Sequence, residues 1–154
     1  MSTEATDGSR SSAEVPAYLG YLLKHAQLNY AGLASAAQAP YGIDGRELAV
    51  LSALAGRELL SQQEVARRLG IDRTTMVALI DGLERKSLVE RHPHPDDRRK
   101  NVVELTAAGR ETLAAASRAT IDAERRFLEP LGEEGAQRFT DALRTLFATP
   151  PTQP

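Results

Sequence analysis

Apolar positions in this 154-residue chain recur at helical spacing everywhere except one short central stretch. Over 15–39, Val15, Leu19, Leu22, Ala26, Tyr30 and Leu33 form one stripe, and Pro16 suits a first helical turn. Tyr18, Tyr21, His25, Leu28 and Gly32 extend the apolar surface onto a neighbouring face. A helix apolar on two faces needs two partners, its own domain and a further surface such as a second chain. Pro40 and Gly42 then break the pattern. Asp44 is placed to cap a second helix over 45–55, with Glu47 completing a capping box and Leu48, Leu51 and Leu54 facing inward. Ser61 and Glu64 repeat the box at a third helix that starts at Gln62, points Val65 and Leu69 inward and stops at Gly70. Asp72 caps a fourth helix, with Met76, Leu79, Ile80 and Leu83 buried and Arg73, Thr74, Val77, Asp81 and Arg85 opposite.

The central exception alternates. "SLVER" and "NVVELT" read as short strands from their β-branched content and period of two. Pro93 and Pro95 do not fit a central strand, so 91–100 is assigned to the hairpin loop. Helical spacing resumes at 107–127, with Leu113, Ala116, Thr120, Ile121, Glu124, Phe127 and Leu128 near its inner faces. Pro130 breaks it, and a last helix running to Phe147 carries Phe139, Leu143, Leu146 and Phe147. Residues 1–13 and 149–154 read as disordered tails around a single domain over 14–148.

Two short helices joined at a glycine turn and followed by a hairpin give a helix-turn-helix with a wing. The expected fold is mainly α with a small β-hairpin wing: a winged helix-turn-helix over 44–106, its wing at 88–106, flanked by long helices at 14–40 and 107–148. The physical logic is that of DNA recognition. The second helix of such a motif enters the major groove with its N-terminal residues against base edges. A hairpin beside it reaches the adjacent minor groove, where an inserted Arg meets enhanced negative potential. The tip must hold that Arg out stiffly. Pro93 and Pro95 restrict the backbone, and Asp96 or Asp97 is placed to orient a neighbouring Arg through a bidentate pair.

Composition adds limits. Hydrophobic content is 42%, charged 26% and aromatic 5%, a soluble, helix-favouring balance. The net charge of −2 does not itself suggest nucleic acid, so the case rests on local charge: residues 91–100 hold four Lys or Arg against two Asp. The chain has no cysteine, which removes disulfides, thiolate chemistry and Cys-ligated zinc. No apolar run is long enough to span a membrane and the N-terminus lacks a signal core, so the expected location is the cytoplasm.

The run "SQQEVARRLGIDRTTMVALIDGLERKSLVERHPHPDDRRKNVVELTAAG" resembles the DNA-binding core of the MarR family of bacterial transcriptional regulators, most specifically at "DDRRKNVVELTAAG". The resemblance covers nearly the whole chain. It implies a homodimer held by the first helix and the two last helices, two winged helices on a palindromic operator, and a small-molecule pocket between the dimerisation helices and the DNA-binding lobe. By matching positions it implies that Ser61 and Gln62 face phosphates and that Arg73, Thr74, Thr75, Val77 and Ala78 face the major groove. Arg99 matches the minor-groove arginine, with Arg98 and Lys100 supporting it on phosphates. Val77 and Ala78 depart from the polar or basic residues common there, leaving readout to thymine-methyl contact and Arg73. Ser87 stands where a glycine commonly follows the recognition helix. The tryptophan of the urate-responsive branch and the cysteine of the peroxide-sensing branch are both missing.

Blander readings stand beside these. Arg98, Arg99 and Lys100 also fit a solvated hairpin tip, and Arg73 with Thr74 an ordinary helix start. His92, His94, Asp96 and Asp97 alternate on a loop without a closed shell, so no metal is assigned. Tyr18, Tyr21 and His25, with Leu48 and Leu51, are candidates to line the effector pocket for a small aromatic or phenolic ligand. The tyrosines equally suit dimer packing. The expected function is a ligand-responsive, homodimeric repressor binding double-stranded DNA, with no cofactor and no membrane partner. The alternative is a winged-helix dimer that serves as a protein-interaction or ligand-sequestering module. No phosphate loop, nucleophile elbow or metal triad supports an enzyme.

Overall fold

A computed structural model describes residues 18–149. The chain runs through α1 (Leu19–Gln38), α2 (Gly45–Leu54), α3 (Gln62–Leu69), α4 (Arg73–Arg85), β1 (Val89–Pro93), β2 (Asn101–Leu105), α5 (Ala107–Leu128) and α6 (Gly132–Ala148). Short 3-10 turns at Ala39–Tyr41 and Glu129–Leu131 join α1 to α2 and α5 to α6. The expectations for 1–13, Val15, Pro16 and 150–154 lie outside the described residues. Tyr18 is extended, with φ −66° and ψ 134°, so α1 begins at Leu19, later than the apolar pattern suggested.

The capping chemistry is as read from the sequence. Asp44 accepts from the Glu47 amide at 2.9 Å while Glu47 takes the Asp44 amide at 3.0 Å. Gly70 closes α3 at φ 63°, a left-handed conformation that costs glycine nothing. One core joins the winged helix to α5: Val50 and Leu51 of α2, Val65 of α3, Met76, Ile80 and Leu83 of α4, Val89 and Val103 of the hairpin and Ala116 of α5. Full burial of each such aliphatic chain contributes about 1.5–3 kcal/mol. Glu47 is buried among them and is neutralised by Lys86 at 2.6 Å, whose ammonium also donates to the Gly42 carbonyl at 2.8 Å.

The hairpin is antiparallel, with Val89 opposite Leu105 and Pro93 opposite Asn101. The assignment of His92 and Pro93 to the loop is therefore corrected: both belong to β1, and Pro93 closes it. The Thr106 amide donates to Leu88 and the His94 amide to Lys100, so the ladder bonds of β1 fall on its even-numbered residues. Pro93 occupies a position whose nitrogen faces away, and its missing N–H costs no bond. Val103 donates outward to the Leu60 carbonyl at 2.8 Å, tying the hairpin to the segment before α3.

α1 packs along α5 through Ala26, Tyr30, Ala34 and Gln38. The expected stripe is correct at Ala26 and Tyr30 but continues through Ala34 and Gln38, leaving Leu19, Leu22 and Leu33 exposed. Small residues on the shared face let the two helices approach. Ile121, expected on an inner face of α5, is also exposed, as are Leu143, Leu146 and Phe147 of α6.

Candidate nucleic-acid interface

Three short pieces converge on one side of the winged helix: the start of α3, the start of α4 and the wing tip. At α3, the Glu64 carboxylate accepts from the Ser61 amide and hydroxyl, each at 2.8 Å, and the Ser61 oxygen accepts the Glu64 amide at 3.3 Å. Those bonds hold the Glu64 carboxyl below its ordinary value. At α4, Asp72 accepts the Thr75 hydroxyl at 2.6 Å and the Thr75 amide at 2.9 Å, which lowers its own pKa in the same way. Arg73 and Thr74 are left exposed on the first turn, and Ala78 lies exposed one turn on, beside half-buried Val77.

The wing tip is fixed by its own backbone. Asp97 donates to the His94 carbonyl at 3.3 Å, and Lys100 to the Asp97 carbonyl at 2.9 Å. The Asp97 carboxylate takes the Arg99 amide at 3.1 Å, not a guanidinium. The expected bidentate pair is thus replaced by a backbone contact. Arg98, Arg99 and Lys100 are exposed, and none is ion-paired among the described residues. Arg91 behaves differently from the rest of the basic cluster. It pairs with Asp81 and Glu84 of α4, so it braces the wing and adds no free positive charge to the tip.

A concavity of about 730 Å³ opens between these pieces, lined by Ser61, Gln62, Arg73, Arg99 and Lys100 among the expected residues. Gln63, Arg67 and Asn101 line it too and were missed. Gln63 and Arg67 stand four residues apart on the outer face of α3, a spacing that could have revealed them. Thr75 and Ala78 instead line a second concavity beside Asp44, Glu47 and Lys86. The Thr75 hydroxyl is turned back to Asp72, so its structural part is that of a cap.

The five pocket candidates are not alike. Leu51 is wholly buried, with no surface to offer a ligand, and Leu48 packs against the same core. Tyr18, just before α1, and Tyr21 on it are exposed, the Tyr21 and His25 rings 4.1 Å apart. On the other side of α1 a groove of about 380 Å³ runs between α1, α5 and α6, lined by Leu23, Phe127, Phe139 and Leu143. There Tyr30 donates to Glu124 at 3.3 Å and meets Phe127 edge-on at 5.6 Å. Burial first, then the Glu124 charge, pushes the Tyr30 phenol above its ordinary pKa.

A family model described as the MarR family matches residues 41–100. The repressor NicR of Pseudomonas putida is 28% identical over 66% of this chain and 65% of its own length. The repressor YetL of Bacillus subtilis is 41% identical over 35% of this chain and 32% of its own. The chain thus spans less than two thirds of either repressor. Solved structures cover more. The repressor CouR bound to a 23-mer DNA duplex superposes with a TM-score of 0.77 at 35% identity, covering 84% of this chain and 92% of that one. CouR from Rhodococcus jostii RHA1, bound to p-coumaroyl-CoA, gives 0.69 at 29% identity, covering 87% and 94%.

Proposed function

The chain belongs to the MarR family, and on that premise we propose that it is a sequence-specific, DNA-binding transcriptional repressor, homodimeric and released by a small aromatic ligand. The observation that carries the reading is the convergence of Ser61, Gln62, Arg73, Arg99 and Lys100 on one concavity between α3, α4 and the wing. Arg73 at the start of α4 is placed for base edges and Arg99 at the tip for the minor groove. A chain of net charge −2 relies on this local patch for its attraction to phosphates. Its action is binding in the cytoplasm, without catalysis; among the described residues no helix is long and apolar enough to cross a membrane.

Dimerisation is supported by the apolar residues exposed on α1 and α6, which a second copy would cover. The ligand class is suggested by p-coumaroyl-CoA in the CouR complex. Binding would shift the dimer toward a spacing of recognition helices that misfits half-sites roughly 34 Å apart. Selection of bound fragments from a random duplex library, followed by a salt titration, tests this. A palindrome with half-sites one turn apart and a steep fall with salt supports it. Binding with no preferred sequence would leave an interaction module in its place.

A further inference from the structure

Residues 89–105 carry four basic groups, Arg91, Arg98, Arg99 and Lys100, and four acidic ones, Glu90, Asp96, Asp97 and Glu104. Arg91 is neutralised by Asp81 and Glu84, so with its histidines neutral the hairpin presents three free basic groups against four acidic ones, although its proposed partner is a polyanion. One proton removes that acidic excess.

The structure offers a place for that proton. Glu90 and Glu104 are directly opposite each other across the strands, and like charges so placed repel. His92, two residues along β1, lies on the same face. Its Nε2 is 2.9 Å from a Glu90 carboxylate oxygen. The charged groups acting on His92 are Glu90 on its own strand and Glu104 on β2, both acidic. Arg91 between them turns to the other face and is held by α4. Val102, opposite His92, is 2% exposed although it lies outside the main core. The carboxylate pair thus sits at the edge of a small covered patch.

We propose that His92 is a proton-gated charge on the wing: protonated, it bridges Glu90 and Glu104 and cancels the acidic excess left on the hairpin once Arg91 is paired; neutral, it leaves that excess uncompensated. The proposal rests on the DNA-binding reading. The hydrogen bond to Glu90, followed by the Glu90 and Glu104 charges, outweighs desolvation and raises the imidazole above its ordinary value. Phosphates favour the charged form further, so the DNA-bound state holds more protons than the free state. Affinity then rises as pH falls through the range above the ordinary histidine value of about 6.5 and levels off once His92 is protonated in the free protein too.

The test is a fluorescence-anisotropy titration of the full chain on its selected duplex, from about pH 8 to about pH 6 at fixed ionic strength. The parent should gain about threefold to tenfold in affinity. His92→Gln should stay flat, and His94→Gln should follow the parent. In the free protein, Glu90→Gln should lower the His92 midpoint read from its imidazole NMR signals. A flat parent, a His92→Gln variant that gains like the parent, or an unmoved midpoint in Glu90→Gln overturns the proposal. A parent that binds no DNA at any pH removes the repressor reading and this proposal with it, a result distinct from a parent that binds without responding.

Discussion

Arg91 on β1 and Asp81 on α4 lie 2.5 Å apart, and the same guanidinium reaches Glu84 and, at 3.4 Å, Gln62 of α3. One side chain thus braces the wing against both helices of the helix-turn-helix. Its charge is neutralised within the protein, so its contribution to DNA binding is geometric. Arg91→Met should cost about 1–2 kcal/mol of stability, discounted because the pair is partly exposed. It should also weaken DNA affinity while leaving the salt dependence unchanged, since no phosphate contact is lost. A reduced salt slope in this variant would place Arg91 on the DNA.

Ser87 follows α4 at φ 59°, a left-handed conformation that L side chains adopt at a cost. The backbone needs it there: the Ser87 amide donates to Glu84, and its carbonyl accepts the Thr106 hydroxyl at 2.7 Å. Glycine keeps both bonds and relieves the strain. Ser87→Gly should stabilise the protein by about 1 kcal/mol in denaturant unfolding, with DNA affinity unchanged. An equal or lower midpoint would show that the serine side chain contributes something the backbone does not.

That residue also shows how much was legible. Its departure from the expected glycine was visible in the sequence, but not its positive φ, which depends on where β1 must begin. Caps at Asp44, Ser61 and Asp72 were read correctly because a cap needs only a side chain and the next turn. Arg91 was misread as part of a free basic tip because its partners, Asp81 and Glu84, are brought near it only by folding. Pro93 was placed in the loop because composition does not reveal which way its nitrogen faces. Leu51 was offered to a ligand because an apolar helix position looks the same in the sequence whether it lines a pocket or a closed core. Local, single-element chemistry was legible; contacts between elements were not.

Gly109 in the first turn of α5 lies against the root of the wing. A Cβ there would fall 1.9 Å from the Leu88 carbonyl oxygen and 2.9 Å from its carbon. Both are backbone atoms, and the Leu88 carbonyl is held by the Thr106 amide at 3.1 Å, so neither can yield cheaply. Gly109→Ala should destabilise by about 3 kcal/mol or more, read by thermal or denaturant unfolding. Gly20→Ala on exposed α1, where nothing lies within 4 Å, is the control and should be neutral or slightly stabilising. Similar behaviour of the two variants would contradict the close approach.

The faces of α1 and α6 predict the assembly. Leu22 is 51% exposed and Phe147 93% exposed, and both elements present apolar rows. Sedimentation of the full chain should give twice its 16.7 kDa mass. Leu22→Glu should shift the population toward the single-chain mass and weaken operator binding by more than tenfold, because two half-sites are then no longer held together. A single-chain mass for the parent at micromolar concentration would remove the dimer from the proposal.

Arg73 and Arg99 separate base reading from groove anchoring. Both line the same concavity, but Arg73 is fixed by a helix that Asp72 caps, whereas Arg99 stands on a tight hairpin tip whose Asp97 carboxylate holds the Arg99 amide. Arg73→Ala should cost about 1–3 kcal/mol of binding and relax preference at one base position. Arg99→Ala should weaken binding on every sequence, most where the minor groove is narrow, and lower the salt slope by about one. Neither side chain is part of the core, so both variants should unfold as the parent does. Parent-like binding by both would mean that the concavity is not where DNA docks, and the wing would need a partner of another kind.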